Sequence, residues 1–399
     1  MERGNTMHNF SYYAPTQVVF GRGAEAQIGA LVKAQNCRKV LLHYGGGSAQ
    51  RSGLLDRIRA ALETEGVAFT ELGGVAPNPR LSLVRRGIEL CRQEGVDFIL
   101  AVGGGSVIDS SKAIGYGVTN EGDVWDFYDR RRQAAACLPV GVVLTIAAAG
   151  SEMSNSSVIT NEDGGVKRGY SNNLCRPRFA VMDPELTMTL PDYQTASGCT
   201  DILMHTMERY FTGRGGNSAL TDGIAEALLR TVMDSARVLR DDPRNYDARA
   251  EVMWAGSLSH NGLTECGNGG NDFSVHALEH ELSGMYDVAH GAGLAALWGS
   301  WARYVYRDCL PRFERFAVRV LGVPAGADAE ETARAGIEAM EDFFRSIGMP
   351  TNLHELGVEP SEEDLVTLAR KCAVATGGVK GSAKQLREPD MLAIYQMAV

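Results

Sequence analysis

Through its first half the chain alternates short apolar runs with amphipathic stretches. Residues 39–44 have the pattern of a buried strand, and Gly45-Gly46-Gly47-Ser48 follows at once. Residues 51–65 then place Leu54, Leu55, Ile58 and Leu62 at helical spacing, which predicts an amphipathic helix. The unit recurs as a strand over 97–102, a turn at Gly103-Gly104-Gly105-Ser106, and a helix over 107–116. Between the two, 81–94 predicts another helix, with Val84, Ile88 and Cys91 on one face. A third apolar run, 139–146, ends in Ala147-Ala148-Ala149-Gly150-Ser151. Strands alternating with helices predict parallel β-α-β units with right-handed crossovers.

Past Pro191 strand-like alternation fades. Helical spacing covers 195–211, 218–239, 247–261, 276–282, 290–306, 327–346, 361–376 and 389–398. Ser361-x-x-Asp364 has the form of a capping start. The expected architecture is an α/β dinucleotide-binding domain with a Rossmann-like parallel sheet over 1–190, then an all-α, metal-binding and catalytic domain over 191–399. No low-complexity linker separates the halves, so tight packing around a ligand cleft is expected.

The 399 residues, 44% hydrophobic and 22% charged, belong to a globular protein with more than one core. A net charge of −10 without basic blocks argues against nucleic acid or anionic lipid as partners. No run of 18 apolar residues and no apolar leader occurs, so no membrane association is expected. The eight cysteines are scattered, with no C-x-x-C, and fit reduced, mostly buried thiols in a soluble cytoplasmic protein. Met7 is a second candidate start, which would make residues 1–6 a disordered extension.

A strand ending in glycines and a serine, then a helix, offers free N–H groups and a helix dipole to an anion. Neither loop fits G-x-G-x-x-G, because Gln50 and Ile108 stand at the third glycine position. A tight strand-to-helix turn and a phosphate cradle both remain open for each loop. Asp109 and Lys112 suit either cofactor contacts or an exposed i,i+3 ion pair. Residues 43–48 contain no Asp or Glu to grip a ribose, and Arg51 lies three residues on, which favours NADP(H) over NAD(H).

Five of the eight histidines fall within 205–290. Asp201 and His205 share a helix face at i,i+4, as do His276 and His280, and His290 opens the next helix after a short turn. Imidazoles with one carboxylate suit Fe²⁺, Zn²⁺ or another divalent transition metal. His260, His8, His43 and His354 have no partner at ligand spacing and are assigned no role. His276-Ala277-Leu278-Glu279-His280 also matches H-x-x-E-H, a zinc-peptidase pattern in which Glu279 would activate water. That alternative leaves Asp201, His205 and His290 idle.

Segments along almost the whole chain resemble the iron-containing (group III) alcohol dehydrogenases, in their NADPH-dependent butanol dehydrogenase and aldehyde reductase branch. They include NFSYYAPTQVVFG at 9–21, VLLHYGGGS at 40–48, ILAVGGGSVIDSSKAI at 99–114, TDILMHTMERY at 200–210 and HALEHELSGMYDVAHGAGLA at 276–295. The resemblance implies Asp201, His205, His276 and His290 as metal ligands, and His280 as a catalytic histidine beside nicotinamide and substrate. It implies cofactor contacts from Gly45, Gly46, Ser48, Gly103, Gly104, Ser106, Asp109, Thr145 and Lys167. The activity it implies is hydride transfer between nicotinamide C4 and a small primary alcohol or aldehyde, such as butanol or butanal, held at the metal. A homodimer joined through the N-terminal edge is also implied. A dehydroquinate synthase, a glycerol dehydrogenase and a non-catalytic nucleotide sensor are the other readings. Trp254, Phe273 and Trp298, near the ligands in sequence, suit either core or the wall of an aliphatic pocket.

Overall fold

The computed structural model describes residues 6–399, so the extension expected for residues 1–6 lies, up to residue 5, outside the described residues. The chain divides into two compact units, Ala14–Leu190 and Pro191–Val399, the latter including the stretch through Tyr13. The sequence reading kept that stretch with the α/β half. It belongs to the helical unit because His8 N–H donates to Gly267 O at 3.2 Å and His8 Nε2 lies 3.0 Å from Gly215 O.

The first unit holds a six-stranded sheet: β1 (Gln17–Phe20), β2 (Lys39–Tyr44), β3 (Ala68–Leu72), β4 (Phe98–Gly103), β5 (Val140–Leu144) and β8 (Phe179–Met182). Their order is β1-β8-β5-β4-β2-β3, with every pair parallel. Central strands are mostly apolar because helices cover both faces of such a sheet, and all of β4 is buried. The hairpin β6 (Ser156–Asn161) and β7 (Val166–Ser171), the edge strand β1, and β3 and β8 were not foreseen. Four to six residues are too few to declare a period.

The helix expected over 51–65 is broken. Gly53 adopts φ 69°, so a short turn at Ser48–Arg51 is followed by a separate helix, Leu54–Thr64. That second piece still buries Leu54, Leu55, Ile58 and Leu62, as the spacing required.

The second unit is helical, and its longer members include Asp192–Tyr210, Ala219–Asp241, Tyr246–His260, Ser274–Tyr286 and His290–Val305. Ser361 and Asp364 do form a reciprocal capping box on the Glu362–Ala375 helix. One helix, Leu310–Arg319, was passed over although Phe313, Phe316 and Ala317 line one side of it. Phe313 and Phe316 meet Phe211, and Phe313 meets Trp301, with the Phe211 and Phe313 rings stacked at 4.3 Å. No helix among the described residues is long and apolar enough to cross a membrane.

His43, given no role above, proves to be a core histidine. On β2 it is fully buried, its Nδ1 2.7 Å from Leu72 O and its Nε2 2.9 Å from Ser110 Oγ. A neutral ring donating to Leu72 and accepting from Ser110 satisfies both. Burial lowers its pKa from 6.5 to about 4, against the pull of the Leu72 hydrogen bond. Between those values the unfolded chain binds a proton that the folded chain refuses, so stability falls as pH falls through the window. The loss reaches about 3 kcal/mol at the lower end. Denaturant unfolding of wild type and His43→Gln across that range should show the wild type losing this much more than the variant.

Candidate metal and cofactor sites

Strand register places the glycine loops. Tyr44 pairs with Val102, and Gly103 with Leu144, so β2, β4 and β5 end together. Residues 45–48, 104–106 and Thr145 therefore emerge along one edge of the sheet. The chain turns outward from β2 to β3 and then back past β2 to β4, making the β2/β4 gap a topological switch point. Ligands of open parallel sheets bind at the carboxyl ends of strands there.

Glycine at 104 is a steric requirement: a Cβ would meet Ile146 at 2.8 Å. Around Gly46 a Cβ would meet nothing within 4 Å, which leaves that backbone open to a ligand. The Gly105–Thr119 helix starts directly behind the second loop, so Gly105 and Ser106 sit in its first turn. A Cβ on Gly47 would run into the Arg51 guanidinium, so Arg51 folds across the first loop. Thr145 N–H donates to Gly103 O at 3.1 Å and holds the third segment against the second.

Asp109 and Lys112 are not the exposed ion pair that spacing allowed. Lys112 is fully buried, and its Nζ reaches Ser151 O (2.7 Å) and Oγ (2.9 Å), Ser154 O (3.1 Å) and Oγ (3.2 Å), and Ser156 O (2.8 Å). Asp109 accepts from Ser151 Oγ at 2.6 Å and from Val158 N–H at 2.9 Å. Burial raises the Asp109 pKa, with the Lys112 charge opposing. The two residues, one helical turn apart, clasp the 151–158 segment, and both Asp109 oxygens are engaged inside the unit. Lys167 stands on β7 opposite Thr160, almost wholly buried, near enough for its charge to act on Asp109.

In the helical unit, three elements bring the histidines together. Asp201 and His205 stand one turn apart on the Asp192–Tyr210 helix, His276 on Ser274–Tyr286, and His290 at the start of His290–Val305. Close approach of the first and last helices depends on Gly291, where any Cβ would collide with the Ser197 carbonyl. Asp201 Oδ1 lies 3.3 Å from His205 Nδ1, 3.6 Å from His276 Nε2 and 3.7 Å from His290 Nε2. Asp201 Oδ1, His205 Nδ1 and His276 Nε2 are all buried and make no hydrogen bond. Leaving one such atom unsatisfied costs about 1–3 kcal/mol. Several converging on one point are the donor set a divalent cation answers, and the mixed N/O chemistry fits Fe²⁺ or Zn²⁺. Asp201, His276 and His290 form one compact group, with ligand atoms within 4.8 Å of one another. His205 stands at its edge, ring against ring with His276 at 4.5 Å.

Two further carboxylates aim these rings. Glu208 accepts from His276 Nδ1, and Glu279 from His290 Nδ1. Burial works against a charged His276, but the Glu208 charge and the Asp201 carboxylate carry its pKa up to about 9. Burial drives His205 the other way, well below its ordinary value, and the His260 and His276 charges add to this. The peptidase reading fails on the same contacts. Glu279, fully buried, is held by Ser283 Oγ and the His290 ring and is no base for water. Glu279, His280 and His290 do form a second compact group, but Glu279 is already spent within it. His280 stands beside the cluster, 5.7 Å from the His290 ring and 6.4 Å from that of His276.

Sequence reasoning missed Glu208, although Asp201, His205 and Glu208 at i, i+4 and i+7 share one helix face. It also set aside His260, whose ring packs edge-on against His205 at 4.1 Å. Of the three aromatics, Trp298 is core, Trp254 is an exposed surface residue, and Phe273 stands against His276.

A parallel sheet with its ligand loops at a switch point, and a helical unit built around a buried histidine–carboxylate focus, is the build of a metal-using dehydrogenase. The family described as iron-containing alcohol dehydrogenase matches residues 15–184, and its C-terminal part matches 195–399. The chain belongs to the iron-containing alcohol dehydrogenase family. It is 41% identical over 391 residues to NADH-dependent butanol dehydrogenase A of Clostridium acetobutylicum, covering 98% of this chain and 99% of that one. It is 36% identical to the NADPH-dependent aldehyde reductase YqhD of Escherichia coli, over 89% of this chain and 91% of the other. The crystal structure of a butanol dehydrogenase A from Thermotoga maritima superposes with a TM-score of 0.95 at 37% identity, over 99% of this chain and all of the other.

If the buried carboxylates aim the ligands, removing one charge should loosen the metal without unfolding the protein. Glu208→Gln should weaken Zn²⁺ affinity roughly 10–100-fold, read by titration against a competing chelator.

Proposed function

We propose that the chain is a metal-dependent reductase of small aliphatic aldehydes, and dehydrogenase of the corresponding primary alcohols, that prefers NADP(H) over NAD(H). Butanal and butanol stand for the substrate class, in keeping with the relatives' names. The observation that carries the reading is the set of buried, partnerless ligand atoms on Asp201, His205 and His276, with His290 completing the set. A divalent metal at that focus, Fe²⁺ in the family's first choice or Zn²⁺, supplies a Lewis acid for the substrate oxygen.

The chain's own residues do the rest. Glu208 and Glu279 hold His276 and His290 in the tautomer that turns Nε2 toward the focus. His280, half-buried beside that pair, is placed to return a proton to the reduced substrate. Gly45, Gly46 and Ser48 with Gly103, Gly104 and Ser106 offer backbone N–H groups to the dinucleotide phosphates. Thr145 stands at the same edge of the sheet, Lys167 joins from the β6/β7 hairpin, and Asp109 acts by shaping the 151–158 segment.

Arg51 supports NADP(H), since it folds across a loop with no acidic residue to repel a 2′-phosphate. Relatives named for NADH and for NADPH both match the chain, so cofactor choice rests on this local chemistry. A homodimer fits β1, which pairs with β8 on one side only and carries the exposed Phe20. Eight free cysteines fit a reducing cytoplasm.

NADPH oxidation with butanal is the test. Turnover should vanish after treatment with a strong chelator and return with Fe²⁺ or Zn²⁺, and chelator-insensitive turnover would sink the metal's role. Arg51→Ala should raise the KM for NADPH roughly 10–100-fold, the loss expected for a charged hydrogen bond, and leave that for NADH unchanged.

A further inference from the structure

We propose that Phe273 is the wall that sets substrate shape at the histidine cluster, admitting unbranched aldehydes and alcohols and refusing those branched beside the reacting carbon. The proposal rests on the alcohol dehydrogenase reading above.

Its surroundings are those of a site residue. The fully buried Phe211 of this unit meets other aromatics, Trp301, Phe313 and Phe316. The ring neighbours of Phe273 are instead His276 at 5.2 Å, His205 at 6.2 Å and His260 at 6.5 Å. Arg209 lies 4.7 Å and Lys380 5.8 Å from the ring centroid, so two cations clamp it. Arg209 in turn donates to the His205 carbonyl at 2.7 Å, tying the clamp to the helix that bears Asp201 and His205. The side chain is only half-buried. A hydrocarbon face among imidazoles is what an aliphatic chain beside the ligated oxygen would meet.

The backbone says the same. Phe273 adopts φ 53°, a left-handed conformation that a bulky residue occupies only under constraint. The constraint comes from both sides. Asp272 N–H donates to Glu208 O at 2.7 Å, and the Asp272 carboxylate accepts from Ser382 and Ala383 N–H at 2.7 and 2.8 Å. On the other side Val275 N–H donates to Glu208 Oε1 at 2.7 Å, and the His276 ring to Oε2. With residues 272 and 275–276 both pinned, the left-handed backbone at Phe273 is held in place, and Arg209 and Lys380 sit over its ring.

Two measurements test this. With butanal and a branched aldehyde as paired substrates, Phe273→Ala should raise the branched-to-linear ratio of kcat/KM about tenfold or more, and Phe273→Tyr should keep the wild-type ratio. A merely structural role lowers both substrates together, and an unchanged ratio overturns the proposal. In Co²⁺-loaded protein, 1-butanol should perturb the visible d–d bands of wild type while a branched alcohol does not, and both should perturb those of Phe273→Ala. A wild type that neither turns over nor responds to 1-butanol overturns the dehydrogenase reading itself, and the proposal with it. The strain has its own readout, because Phe273→Gly relieves the left-handed backbone and Phe273→Ala does not. The glycine variant should unfold at the higher temperature, and the reverse order would remove the held-backbone argument.

Discussion

Glu208 is the side chain on which the helical unit's chemistry depends. It projects from the helix that carries Asp201 and His205, and it reaches the first turn of the helix that carries His276. There one oxygen takes the Val275 N–H, at a helix N-terminus where a negative charge is favoured. The other takes the His276 ring, and the Glu208 carbonyl takes Asp272 N–H. Bonds to one buried residue thus fix a helix start, a ligand tautomer and a strained loop. A buried carboxylate is costly unless its lone pairs are used. Here its partners lie in the site or pin the loop beside it, so the fold and the site draw on the same interaction.

The α/β unit solves a comparable problem with a cation. Its glycine loops give little side-chain packing, because their use lies in bare backbone. Asp109 and Lys112, one and two turns into the helix behind the second loop, fasten the 151–158 segment with seven polar contacts in place of hydrophobic ones. Rigid support behind an open loop is what preorganised binding needs. It also explains how a chain at −10 can hold an anionic dinucleotide. The proposed cofactor contacts are local, made of N–H groups, a helix end and a few cations, and net charge does not report on them.

Much of this was legible in the sequence, for identifiable reasons. Strands β2 and β4 are mostly apolar runs that lead into glycines, β5 is apolar throughout, and the histidines repeat at i,i+4, so local pattern sufficed for both. What escaped was set by distant partners. The edge strand β1 and the hairpin β6/β7 are too short to declare a period. Gly53 interrupts a stretch that is apolar at every helical position, and only its left-handed φ reveals the break. Glu208 lies on the right face at the right spacing, yet its task becomes visible only when the Ser274–Tyr286 helix arrives against it. His260 was dismissed on spacing, and its packing against His205 comes from a different helix altogether.

The H-x-x-E-H segment shows where local pattern stops deciding. In a helix His276, Glu279 and His280 all lie within one turn, so the same five residues can present two imidazoles with a base between them, or one imidazole with a buried carboxylate behind. Nothing inside the segment chooses. The choice is made by His290, eleven residues past Glu279, whose ring takes the carboxylate from behind while its other nitrogen turns toward Asp201. That return depends on a tight turn at Asp287, a non-glycine residue held at φ 53°, and on Gly291 letting the following helix close against Ser197. A glycine and a strained turn, both outside the five-residue motif, determine how its carboxylate is used.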